Sequence, residues 1–203
     1  DYKGTRAKMP DDLRPQIERI RQMVDAFHFP RLEREGAEAD DILGTISKQA
    51  VEQGFGVKII TGDRDLLQLV DDRIIVSLSG QKISEAENYD AAAVKAKLGV
   101  APNQVIDYKA LVGDHSDNIP GVPGVGEKTA TLLLEQYGTL DEIYRHIDDI
   151  PARFASKLTT GKDSAYMSQT LATIKLDIPI KLNLDEARTD HINVPEVESL
   201  FRE

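Results

Sequence analysis

Thirty-five of the 203 residues are Asp or Glu, and three groups of them stand where a folded chain could gather them. Glu38, Asp40 and Asp41 open a segment of helical periodicity. Asp63 and Asp65, in Thr61-Gly62-Asp63-Arg64-Asp65, follow a β-patterned run. Asp114 and Asp117, in Gly113-Asp114-His115-Ser116-Asp117-Asn118, fall between helical segments. Taken singly, each has a plain structural reading: an acidic first turn that suits the helix dipole, a turn with an N-cap, or a capping turn ahead of the next helix. Taken together they offer an oxygen-only ligand set of seven carboxylates, which suits Mg²⁺ or Mn²⁺. Two such ions about 3.5 to 4 Å apart clamp the attacking and leaving oxygens of a phosphodiester, so the chemistry expected is metal-dependent phosphoryl transfer. His28, His115, His146 and His191 are scattered without ligand spacing and are assigned no role.

A second motif is rich in glycine. Asn118-Ile-Pro-Gly-Val-Pro-Gly-Val-Gly-Glu-Lys-Thr-Ala130 places Gly121, Gly124 and Gly126 just ahead of an apolar helical stretch. A nucleotide phosphate loop needs Lys and Ser or Thr directly after the last glycine, and Glu127 intervenes. What remains is a glycine turn between helices, either an ordinary tight connection or one whose free amides grip a backbone phosphate without reading sequence. Lys128 and Thr129 stand where they would add to that grip.

The elements that must position these groups follow from periodicity. Leu13, Ile17, Ile20, Val24 and Phe27 predict a helix over 11–27, with Asp11 or Asp12 as N-cap; Phe29 to Glu33 is a short extended candidate; and 38–53 reads as a helix stopping at Gly54. The run 56–61, GVKIIT, predicts a strand buried on both faces, as in a parallel sheet. Residues 73–78 predict another strand, turned at Ser79-Gly80 into a hairpin partner over 82–84. Beyond Asn88 the β signal ends. Helical stretches follow at 90–98, 103–112, 127–137, 139–147, 163–174 and 195–202. The expected architecture is an α/β layer with an incomplete, mostly parallel sheet flanked by helices over 1–100, followed by an all-helical subdomain over 101–203.

Composition bounds the class. The chain is 40% hydrophobic, 30% charged and 5% aromatic, too apolar for a disordered tail and too charged for a membrane protein. It has no cysteine, which removes disulfides, thiolate catalysis and Cys-ligated zinc. No apolar run of spanning length and no secretory leader is visible, so a cytoplasmic chain is expected. The net charge of −10 argues on its face against nucleic acid, but the charge is uneven. Residues 1–34 carry 8 basic and 6 acidic side chains, whereas 35–72 carry 3 basic and 9 acidic ones. A carboxylate surplus that must converge calls for cations; the plain alternative is a solvated acidic face. The chain opens at Asp1 rather than at Met and reads as a fragment.

The order and spacing of E-A-D-D, T-G-D-R-D-L-x-Q-L and G-D-x-S-D-N-I-P-G-V-P-G-V-G-E-K-T-A resemble the 5'-nuclease (5'-3' exonuclease) domain of bacterial DNA polymerase I, a relative of flap endonucleases, over essentially the whole chain. The resemblance implies a PIN-like nuclease core. It also implies two divalent metal ions, Mg²⁺ or Mn²⁺, held by Glu38, Asp40, Asp41, Asp63, Asp65, Asp114 and Asp117. The glycine turn resembles the family's helix-hairpin-helix, with Gly121, Gly124, Gly126, Lys128 and Thr129 on duplex DNA and K⁺ on the turn carbonyls. Tyr2, Lys3 and Arg6 resemble the end of the helical arch, with Lys3 and Arg6 giving electrostatic help to the transition state and Tyr2 stacking on a base. The family's first strand, with a further metal aspartate, and most of the arch would lie upstream of Asp1, and there is no room for a polymerase domain.

The implied activity is structure-specific cleavage of DNA at a 5' flap, nick or 5' end, or of RNA primer–DNA, by a monomer acting in primer removal and repair. Two other classes are weighed. One is a catalytically incomplete DNA-binding fragment using the glycine hairpin alone. The other is a D-x-D phosphatase, disfavoured because that scheme expects Thr or Val where Leu67 stands.

Overall fold

In the computed structural model, residues 4, 8–80, 86–190 and 192–202 are described. Tyr2, Lys3, Arg6, His191 and the hairpin partner expected over 82–84 lie outside them.

The described chain begins with α1 (Leu13–Ala26) and α2 (Ala39–Glu52). Asp40 and Asp41 occupy the first turn of α2, and Gly54 follows its end at φ 89°. The segment 29–33 is not a strand. Arg31 there donates to Asp25 and Glu33, so side-chain ion pairs rather than a sheet ladder hold it. The sheet has the order β1 (Val57–Thr61), β2 (Ile74–Leu78), β3 (Glu87–Tyr89). β1 and β2 are parallel, with Ile59 opposite Val76; β2 and β3 are antiparallel, with Val76 opposite Tyr89. The short polar strand Glu-Asn-Tyr carries too little apolar pattern to be seen in sequence, and it is β2 that recruits it.

β1 departs from the expectation of burial on both faces. Ile59 is 3% exposed but Ile60 is 72% exposed, so the described chain covers one face of this strand only. Its apolar run reports composition, and the covering layer decides burial.

The parallel crossover from β1 to β2 is short. It contains a 3₁₀ turn, Arg64–Leu69, whose Leu66 and Leu67 are fully buried. This turn anchors Asp63 and Asp65 at the carboxyl end of β1.

The remaining elements are helical: α3 (Ala91–Leu98), α4 (Val105–Val112), α5 (Glu127–Tyr137), α6 (Leu140–Arg145), α7 (Ala152–Thr160), α8 (Lys162–Ala172) and α9 (Val194–Arg202). Local chemistry sets several ends. Asp90 accepts from the Ala93 amide and Thr139 from the Glu142 amide as N-caps, and Gly99 closes α3 at φ 76°. α7 falls outside the helical stretches expected from periodicity, because only Phe154, Ala155 and Leu158 mark its packed side. One apolar core joins sheet and helices, running from Ile59, Leu66 and Val76 through Val105, Leu111 and Val122 to Leu134, Leu140 and Leu158. No helix among the described residues is long and apolar enough to cross a membrane.

Candidate metal and nucleic-acid site

Asp63 N-caps the 3₁₀ turn, its Oδ1 accepting from the Asp65 amide at 2.9 Å while its own amide donates to Thr61 Oγ1 at 3.0 Å. The turn therefore holds both aspartates in one orientation at the sheet edge. Asp63, Arg64 and Asp65 line an open groove of ≈ 440 Å³ with Asp114 and Ser116. Asp65 also lines a second cleft of ≈ 310 Å³ with Glu38, Asp40, Asp41 and the segment 170–175. Six of the seven carboxylates thus border two clefts that share Asp65. Asp117 borders neither and is 5% exposed.

The second cleft is held by long-range contacts that the acidic groups alone do not announce. The Lys175 amide donates to Asp41 Oδ1 at 2.9 Å. Gln68 donates to the Asp65 and Ala172 carbonyls and accepts from the Ile174 amide. One glutamine therefore fastens the end of α8 beside the acidic first turn of α2.

The residue that sequence reasoning missed most plainly is Lys109, on α4. Its ammonium bridges Asp65 and Asp114, at 2.8 Å from Asp114 Oδ2. A lysine on an apolar helix is a signal only once its partners are known. Asp114 is further held by the Ser116 amide at 2.9 Å and hydroxyl at 2.5 Å. Burial works to raise Asp114, yet Lys109 and Ser116 win and bring it down to about 2. At Asp65 burial dominates and pushes the carboxyl up, with Asp63 and Asp114 adding and Lys109 opposing. Burial would lower Lys109, but the two carboxylates overcome it and raise it. Among the described residues no three Asp, Glu or His side chains are gathered tightly enough to ligate one ion as they stand. The donor set is nevertheless all oxygen, with one internal ammonium offsetting part of its charge, and it fits a hard divalent cation.

The glycine turn abuts this site. Gly113 and Gly121 sit at φ 81° and 62°. A Cβ on Gly121 would lie 2.3 Å from the Gly113 nitrogen, and one on Gly113 would lie 2.6 Å from the Ile119 oxygen. Backbone therefore packs on backbone between the start of the turn and the base of the loop carrying Asp114 and Asp117. Two serines of α8 clasp Gly121: its amide donates to Ser168 Oγ at 3.0 Å, and Ser164 Oγ donates to its carbonyl at 2.6 Å. Val122 and Val125 are buried while Gly124, Gly126 and Lys128 are exposed and Thr129 is half-buried. Gly126 N-caps α5 without a side-chain cap, and Glu127 stands in the first turn; a helix start of this kind can bind an anion through its first amides. Lys157 of α7 donates to the Gly124 carbonyl at 2.9 Å.

The chain matches two family models: "5'-3' exonuclease, N-terminal resolvase-like domain" over residues 1–99 and "5'-3' exonuclease, C-terminal SAM fold" over residues 100–195. It is 47% identical over 195 residues to DNA polymerase I of Caldicellulosiruptor bescii, which covers 95% of this chain. It is 43% identical over 204 residues to DNA polymerase I of Bacillus subtilis, covering all of it. In both cases the chain spans 23% of the relative's length. Among solved structures, T5 5'-exonuclease with bound zinc has a TM-score of 0.70 at 22% identity, covering 99% of this chain and 74% of that one. The catalytic core of Rad2 with DNA substrate has a TM-score of 0.60 at 17% identity, covering 95% and 64%. These last two likenesses establish the fold.

Proposed function

From the chain's membership of the 5'-3' exonuclease family, we propose that it is a structure-specific 5' nuclease, hydrolysing DNA phosphodiesters near a 5' flap, nick or 5' end and leaving a 5' phosphate. The observation that carries this reading is the physical continuity of two functions. The glycine turn suited to a phosphate backbone packs, Gly121 on Gly113, against the base of the loop bearing Asp114, and Asp114 shares a groove with Asp63 and Asp65. A duplex held by the turn is thereby registered to the carboxylates.

Glu38, Asp40, Asp41, Asp63, Asp65 and Asp114, which border the two clefts, are the proposed holders of two divalent ions, Mg²⁺ or Mn²⁺; Asp117, buried outside both clefts, joins them in the proposal through the motif match alone. When bound, such ions lower the pKa of water and stabilise charge on the attacking and leaving oxygens. The chain's own part is positioning. The Asp63 cap and the Asp114–Ser116 contacts fix the acceptors, Arg64 offers the groove a cation for the phosphate, and Lys109 keeps the carboxylates together before ions enter. Gly121, Gly124, Gly126, Lys128 and Thr129 hold the duplex by its backbone. Lys3 and Arg6 are proposed for transition-state charge and Tyr2 for base stacking. The division of labour near residue 100, nuclease core before and DNA-binding helices after, belongs to the same proposal. So does the setting: a DNA polymerase I acting as a monomer in the bacterial cytoplasm on flaps and RNA primer–DNA.

One observation favours a second reading, a catalytically incomplete DNA-binding fragment: no ready three-carboxylate cluster exists among the described residues. Cleavage of a 5'-flap duplex in Mg²⁺, with EDTA and Asp63→Ala as controls, separates the two. Cutting near the junction that both controls abolish supports the nuclease. An intact flap that the chain still binds supports the fragment.

A further inference from the structure

We propose that Lys157 is a phosphate-binding residue of the hairpin, an ammonium delivered by α7 and held across the glycine turn for the DNA backbone. The proposal rests on the reading of the turn as a duplex grip, and three features carry it.

First, Lys157 Nζ donates to the Gly124 carbonyl at 2.9 Å, although the two residues are 33 apart in sequence. An exposed lysine ordinarily ranges freely; this one is tethered to the outer tip of the turn. Second, its stem lies on the place where a side chain at 124 would be. A Cβ on Gly124 would stand 2.9 Å from Nζ, 3.1 Å from Cε and 3.2 Å from Cδ. Glycine at 124 thus serves the lysine's seat as well as the backbone at φ 80°, and the aliphatic part of Lys157 is laid flat on the turn. The base of the same helix end is fixed too, since the Gly161 amide donates to the Lys157 carbonyl at 2.9 Å. Third, the partner is a neutral carbonyl. Lys109 is spent on two carboxylates, whereas no described carboxylate lies within ion-pair distance of Lys157. One of three ammonium protons is used and the full charge is retained at Gly124, close in sequence to the turn's exposed Gly126, the N-cap of α5, and the exposed Lys128. In a chain of net charge −10, an unneutralised, pre-oriented cation at this turn is what backbone recognition needs, because phosphate affinity comes from local counterion release rather than summed charge.

Phosphate recognition of this kind is sequence-independent and salt-dependent, which supplies the test. Binding of a fluorescent 5'-flap duplex to the 203-residue chain is followed by anisotropy in EDTA, across salt concentrations, for the parent, Lys157→Ala and Lys157→Arg. One lost phosphate contact flattens the slope of log K against log salt by about 0.9 and weakens binding about eightfold at 0.1 M salt, with the gap vanishing near 1 M. Lys157→Ala shows that loss equally on two unrelated duplex sequences, and Lys157→Arg restores the slope. A lysine that only braced the turn would weaken binding at all salt concentrations and leave the slope unchanged, and that result overturns the proposal. If the parent binds with a steep slope and Lys157→Ala keeps it, the assignment of Lys157 fails while the hairpin reading stands. If the parent shows no salt-dependent binding, both fail.

Discussion

Replacing Lys109 by Met tests the electrostatic account of the site. The ammonium bridges Asp65 and Asp114, and the three side chains are 12%, 15% and 22% exposed. Removing one partner of a fully buried pair costs about 3 to 5 kcal/mol because the other charge is stranded. With this residual exposure the expected loss is about 2 to 3 kcal/mol, a urea midpoint lower by about 1 M for a slope near 2 kcal/mol/M. The loss should depend on pH in a defined sense. Asp114 falls from 3.8 to about 2 in the folded chain, so its contribution is present above pH 3.8 and fades as pH drops toward 2. The full shift corresponds to about 2 kcal/mol, reduced by solvent screening to about 1 kcal/mol. Asp65, raised by burial, works the other way: its charge costs stability at neutral pH, and protonation relieves that cost sooner in the variant. The gap between parent and Lys109→Met therefore closes as the solution is acidified. At neutral pH a given concentration of divalent cation should stabilise the variant more than the parent; at one hundred times the variant's own Kd the variant gains about 2.7 kcal/mol in all. Urea unfolding by circular dichroism at pH 7, 4 and 2.5, with and without Mg²⁺, reads all three effects. Equal midpoints at pH 7, or a gap that persists unchanged at low pH, would refute the assignment of Lys109 as the internal counter-charge.

Further outcomes are expected from the same geometry. Gly121→Ala sets a Cβ against the backbone of Val112 and Gly113, which cannot yield as a side chain could; it should cost about 3 kcal/mol or more and weaken flap binding, read by thermal melting and anisotropy. Asp107 is 8% exposed and accepts from the Leu140 amide at 3.0 Å and Gln169 at 2.7 Å; Asp107→Ala strands both donors and should cost about 2 to 4 kcal/mol, measured in urea. Burial, with Asp163 and Tyr166 as neighbours, pushes Tyr144 up to about 12, and burial with the Asp141 hydrogen bond does the same to Tyr166. Ultraviolet titration should show two late phenols, and stability should fall as pH rises from about 10 toward 12, because the unfolded chain ionises first.

Much of this protein is legible from its sequence because the interactions responsible are local. Helical periodicity locates α1, α2, α5 and α8 to within a few residues, and the stretch expected over 90–98 is α3, Ala91–Leu98. The three acidic groups and the glycine turn are contiguous words whose residue types state their chemistry. Tertiary structure decided the rest. β3 is polar and short, and exists as a strand because β2 offers it a ladder. α7 carries few apolar residues, and Lys157 matters only because α7 returns to Gly124. The burial of Ile60 turned on whether a layer covers β1, which no local pattern encodes. Lys109 lies on an apolar helix and Gln68 stands in the T-G-D-R-D-L-x-Q-L motif with no chemistry of its own; their roles arise from partners 44 and 106 positions away. Residue type and short-range spacing thus determined what chemistry the chain offers. Long-range packing decided which charges meet, because electrostatic and hydrogen-bond energies depend on distance in space, which sequence separation does not fix.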